Sequence, residues 1–144
     1  RMTPDQMFSL ANTAALAGWI VLAAAVLLKR PRWRDLIAGR IFPLAFSVVY
    51  SALVVFFWTK AEGGFGSLAD VRTLFASPWL LVAGWIHYLA FDLFVGAHIA
   101  RVADADGMPR LVTILLLPVT FLFGPMGLLA FEVLRLAFRR TAIV

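Results

Sequence analysis

The sequence contains no cysteine, only two histidines and few charges: 15% of its 144 residues are Asp, Glu, Lys or Arg, against 62% hydrophobic. The missing cysteine excludes disulfides, thiolate metal sites and cysteine nucleophiles. The shortage of charge excludes an ordinary water-facing surface, because a soluble domain is nearer half apolar and a quarter charged. A mean hydropathy of +0.91 points instead to a lipid solvent. Thirteen Lys+Arg against eight Asp+Glu leave a net charge of +5. In a soluble domain that excess would raise nucleic acid as a partner. Here the basic residues lie between and beside apolar runs, so membrane topology and anionic headgroups account for them, and no nucleic acid is expected.

A bilayer core of about 30 Å needs about 20 apolar residues in helix. Four segments meet that length, at 7–28, 41–59, 78–100 and 111–134. They predict an all-α, polytopic four-helix transmembrane bundle forming one domain over 1–144. The flank before the first run is barely basic and the run is too long for a signal peptide core, so it is read as a retained span. Short connectors make neighbouring helices antiparallel. Ser77 before Pro78 marks a helix start. Pro118 and Pro125 inside the fourth segment predict a kink or local unwinding that frees backbone carbonyls in the interior.

Leu16-Ala17-Gly18-Trp19-Ile20 is echoed by Val82-Ala83-Gly84-Trp85-Ile86, and Phe42-Pro43 by Met108-Pro109, which raises a duplication of two helical hairpins. Coincidence is the rival explanation. Gly18 and Gly84 would in either case permit close helix approach. Four crossings place both termini on one side. The basic first connector (Lys29, Arg30, Arg32, Arg34, Arg40) favours placing itself in the cytoplasm and the termini outside, whereas Arg135, Arg139 and Arg140 favour the reverse.

The informative polar residues lie in the third segment. Asp92 is flanked by apolar residues on both sides, and a carboxylate there costs about 2.5 to 3.5 kcal/mol on insertion scales, so it is expected to face protein or water. Desolvation favours a neutral carboxyl, the form a general acid requires. The plainer role is a hydrogen bond to a neighbouring helix. At about 100° per residue, Tyr88 and Asp92 share a face, while His87 points about 140° away from Asp92. Antiparallel helices bring Tyr50, Thr120 and Asp92 to similar depths, so the three could cluster. His87 and His98 lie three turns apart and cannot hold one metal, and no metal site is expected. Asn12 suits either helix association or a ligand. Glu132 and Arg135 are spaced to pair. Trp33, Trp58 and Trp79 fit interfacial belts. Phe46, Phe56, Phe57, Phe91, Phe94, Phe121 and Phe123 would line helix faces, which suits a polyene, lipid tails or ordinary packing.

Ser77-Pro78, Gly84-Trp85-Ile86-His87-Tyr88-Leu89-Ala90-Phe91-Asp92-Leu93-Phe94-Val95-Gly96, Pro109-Arg110-Leu111 and Thr120-Phe121-Leu122-Phe123-Gly124-Pro125-Met126-Gly127-Leu128-Leu129 resemble the ABA4-like family. The likeness runs the length of the chain and includes Asn12, Ala15-Leu16 and Gly18-Trp19. The plant member of that family is associated with neoxanthin formation. The resemblance implies an integral membrane protein of carotenoid metabolism, in a bacterial inner membrane, acting as a xanthophyll epoxide isomerase. Such a reaction needs an acid at the epoxide oxygen and a base at a carbon-bound proton, without redox change or cofactor. Asp92, Tyr88 and His87 are the catalytic candidates it implies, with Asn12, Tyr50, Phe91, Thr120 and Phe123 around a ligand. The alternative is a non-catalytic subunit binding a carotenoid, quinone, tetrapyrrole or partner protein, as a homo-oligomer or in a larger membrane complex; a transporter is a weaker third reading.

Overall fold

The computed structural model describes residues 2–141, with side chains through Arg139. Among them every regular element is helical: α1 (Pro4–Leu27), a π-helical turn (Trp33–Ile41) running into α2 (Phe42–Phe57), a short α3 (Leu68–Leu74), α4 (Pro78–Ala105) and α5 (Arg110–Thr141). Four of these stretches are long and apolar enough to cross a membrane. The expected all-α membrane bundle is therefore what the chain forms.

The ends of α1 and α4 follow from local chemistry. Thr3 caps α1 by accepting from the Gln6 backbone N–H, while the Gln6 side chain returns a bond to Thr3, and Pro4 needs no partner in the first turn. Ser77 occupies the cap position of α4 as expected, but its hydroxyl makes no capping bond.

The first connector is shorter than the sequence suggested. Its basic residues from Arg34 to Arg40 are helical, because the π turn carries the chain from Trp33 into α2 without a break. Arg34 becomes buried there, held by Asp35 at 2.8 Å and by Asp104 of α4 at 2.7 Å. Gly39 lets the wide turn pass close to Ala97; a side chain at that position would press on the Arg34 carbonyl. The second connector, read as loop, contains α3, capped by Ser67.

The helix α4 is the centre of the bundle, packing against α1, α2 and α5. Gly18 of α1 lies against Leu93, and Gly96 of α4 lies against Trp19 and Leu22, so each helix supplies a small residue where the other is large. Gly84 does not meet a long helix; it faces Phe75 at the end of α3. The echoed segments also differ in depth, since Gly18 sits beside Leu93, more than two turns past Gly84.

The decisive departure is in α5. Phe123 has non-helical angles (φ −145°, ψ 63°), dividing α5 into two arms. In a straight helix Thr120 and Gly127 would be about 10 Å apart along the axis. Here they touch so closely that a side chain at position 127 would overlap Thr120. The arms fold back on each other. The first arm runs beside α1, with Arg110 bonding the Leu27 carbonyl at one end and Phe121 packing on Trp19 at the other. The second arm returns along α4, where Phe131 is fully buried in a cluster with Ile99, Ala103, Met108 and Leu116. It ends with Arg135 and Arg139 clamped on Asp106, at 2.6 and 2.9 Å, immediately before α5 began. Arg135 also meets Glu132 at 3.4 Å, the pair expected from spacing, though Asp106 is its closer partner. Both arms of α5 thus open to one face. The expectation that the two termini share a face falls on residues outside those described; among the described residues, Arg139 lies at the end of the bundle opposite Pro4.

Candidate functional site

A broken helix in an apolar bundle leaves backbone groups without helical partners, and each must be answered by a side chain or lose about 1 to 3 kcal/mol. Pro125 has no N–H, so the Phe121 carbonyl loses its donor. The turn at Phe123 strands the Leu122 carbonyl as well. Tyr88 answers both, its hydroxyl donating to Leu122 at 2.7 Å and reaching Phe121 at 3.4 Å. One turn on, Asp92 answers the other arm: its carboxyl accepts from the backbone N–H of Gly124. The positive end of the second arm's dipole favours a carboxylate at that place. A side chain at position 124 would collide with Asp92, so glycine is required by the approach itself. The i, i+4 pair Tyr88–Asp92 therefore caps the two facing ends of the break.

One oxygen is left over. Asp92 is 7% exposed, and its Oδ2 has no hydrogen-bond partner among the described residues. It forms no ion pair with any described residue. Thr120 is fully buried at the same break, but its hydroxyl turns to the Leu116 carbonyl at 2.8 Å.

Because α5 turns back about halfway along α1, the rest of the depth on that side is filled by no helix. A notch of about 350 Å³ remains, lined by Asn12, Leu16, Trp85, Tyr88, Phe121 and their neighbours. Asn12 accepts from the Trp85 ring N–H at 2.8 Å, joining α1 to α4 at the notch wall. Trp85 is packed between Phe8 and Tyr88, with ring centres 5.4 and 5.2 Å away. Leu16 and Phe121 also line a second apolar hollow of about 280 Å³ between α1 and the first arm of α5, so the two form one elongated groove.

The residues proposed from sequence divide between two sides of α4. Asp92, Tyr88, Thr120 and Asn12 lie at the break or the notch beside it. Phe123 forms the turn and is more than half exposed. His87 is exposed on the other side, against Tyr50 at 5.4 Å and Phe91 at 4.8 Å between ring centres. Tyr50 therefore joins His87 instead of clustering with Asp92 and Thr120. Phe91 lines a separate hollow between α2 and α4. His98 is half-buried in α4, which continues past it to Ala105 instead of ending beside it. Trp85 was missed as a site residue. Its indole N–H in an apolar helix needs an acceptor, and Asn12 is the nearest polar residue of α1 at matching depth; that was the available signal.

These features define an all-α membrane protein whose fourth long helix is broken against a buried acid. Over residues 6–131 the chain matches the model of the ABA4-like family, described as ABA DEFICIENT 4-like, and it belongs to that family. No curated protein and no solved structure matches it.

Proposed function

We propose that this membrane protein serves carotenoid metabolism by holding the ring end of an extended polyene in the notch beside the α5 break. The observation that carries the reading is the notch itself: a mainly apolar, aromatic-walled space on the open flank between α1 and α4, with Tyr88 and Asn12 as its polar groups, continued by a hollow along α1. A rigid polyene suits such a groove because it loses little conformational entropy on binding, and a few placed polar groups orient its oxygenated ring. Membership of a family whose plant member is associated with neoxanthin formation supports the choice of ligand class.

The test is pigment retention. Protein incubated with an epoxy-xanthophyll in neutral detergent and purified again should carry pigment in a fixed ratio. Leu16→Trp, which projects bulk into the notch from an exposed position, should lower that ratio severalfold. Absence of retained pigment, or equal retention by the variant, refutes the reading.

A catalytic reading rests on one further observation, the unpartnered Oδ2 of Asp92, an atom buried behind the notch wall one helical turn from Tyr88, so that the ring would have to enter past that wall to meet it. In its protonated form that oxygen could give a proton to an epoxide oxygen as the ring C–O bond breaks, and the resulting carboxylate could then take a carbon-bound proton as the allene forms. One carboxyl returns to its starting state, the xanthophyll is isomerised, and no cofactor is consumed. His87 is not needed, and its position on the far side of α4 supports leaving it out. Asp92→Asn should then lower turnover by about 10² to 10⁴ while pigment is still retained. Unchanged turnover, or none in the unmodified protein, leaves binding as the function.

A further inference from the structure

At the face where α1 ends and α5 begins, a second cavity of about 170 Å³ is built from different chemistry. Lys29, Arg30, Arg34, Asp104, Arg110 and Thr113 supply its polar lining. Arg34 is held between two carboxylates, Asp35 and Asp104. Lys29, Arg30 and Arg110 form no ion pair among the described residues, so the four cations at the cavity outnumber the two carboxylates Asp35 and Asp104 and leave an excess of positive charge. Arg110 spends one N–H on the Leu27 carbonyl, which anchors its guanidinium at the rim. Lys29 is held in the left-handed region (φ 53°), an uncommon backbone conformation for a residue other than glycine. Thr113, in the first turns of α5, is 3% exposed and lines the cavity. The positive dipole end of α5 lies at the same place.

We propose that this cavity binds a phosphate group, with Lys29, Arg30 and Arg110 supplying charge and the Thr113 hydroxyl a donor in the cavity wall. Two sources carry that chemistry at a membrane surface, the headgroup of an anionic phospholipid and free inorganic phosphate. The fold favours the headgroup. Reversal of α5 gathers Lys29, Arg30, Arg34, Arg110, Arg135 and Arg139 on one face, which the distribution of positive charge assigns to the cytoplasmic side, where anionic headgroups attract basic clusters.

Binding can be followed on the whole protein in neutral detergent by native mass spectrometry, with short-chain phosphatidylglycerol, phosphatidylcholine and inorganic phosphate as separate probes. Phosphatidylglycerol should saturate one site and bind about tenfold or more tightly than phosphatidylcholine. Arg30→Gln and Thr113→Val should each weaken it by about tenfold, the effect of losing a hydrogen bond to a charged group. Arg72→Gln removes the same charge from α3 at the opposite end of the bundle and should change nothing. Displacement of the lipid by millimolar inorganic phosphate would assign the site to the free anion, and persistence would assign it to the headgroup; both support a phosphate site. The proposal is overturned if Thr113→Val and Arg30→Gln bind as the unmodified protein does, or if Arg72→Gln weakens binding equally, which would mean diffuse surface charge. Thermal midpoints of the variants without lipid establish that each is folded.

Discussion

If α5 were a continuous crossing, Arg135 would lie about 38 Å along the axis from Arg110, on the far side of the bilayer. In the fold described it is salt-bridged to Asp106, next to the start of that helix, at 2.6 Å. The two arrangements differ by a full membrane thickness, which makes the difference easy to measure. Paired replacements Asp106→Cys and Arg135→Cys should be joined efficiently by a short bis-maleimide in intact membranes, with no background because the chain has no cysteine of its own. Single replacements extend the test. Asp5→Cys and Ser67→Cys should react with an impermeant thiol reagent from one side, and Arg32→Cys, Ala105→Cys and Ala137→Cys from the other. Loss of the Asp106 clamp in the paired variant costs little, because solvent screens ion pairs of this kind and the buried Phe131 cluster still holds the arm. Failure to cross-link the pair, together with Ala137→Cys reacting from the side of Ser67→Cys, would refute the reversal of α5 and the notch that depends on it.

Tyr88→Phe removes one hydroxyl and leaves the Leu122 and Phe121 carbonyls without their donor; stability to denaturing detergent should fall by about 1 to 2 kcal/mol, as expected for an interhelical hydrogen bond at the strong end of the membrane range. Gly124→Ala should cost about 1 to 3 kcal/mol by pressing on the Asp92 carboxyl, and the double variant with Asp92→Ala should lose less than the two single losses added together, which a double-mutant cycle in detergent reads directly. Arg139 and Arg135 hold the Asp106 carboxyl below the usual carboxylate range. Its contribution to stability is therefore complete above the ordinary value of about 4 and is lost as pH falls through the lower folded value, so the thermal midpoint should drop more steeply in acid for the unmodified protein than for Asp106→Asn.

Much of this protein follows from one-dimensional properties. Twenty apolar residues in a row can only be helical in lipid, since every backbone group must be bonded internally. That determined the class and the positions of the long helices without any knowledge of packing. Pro118 and Pro125 likewise announced a break, because proline cannot donate. The i, i+4 spacing of Tyr88 and Asp92 placed them on one face, away from His87. Direction was not legible. Hydropathy measures how much apolar length a segment has, and a helix that crosses reads the same as one that turns at its middle and returns. Only packing chose between them, through Gly127 lying on Thr120, Phe131 buried beside Ile99 and two arginines reaching Asp106. That choice resolves the contradictory charge pattern, since the arginines of the last helix join those of the first connector on one face. It also decided what Asp92 meets: a sequence can place an acid at a given depth, but the free N–H it accepts from exists only once another helix has been broken against it.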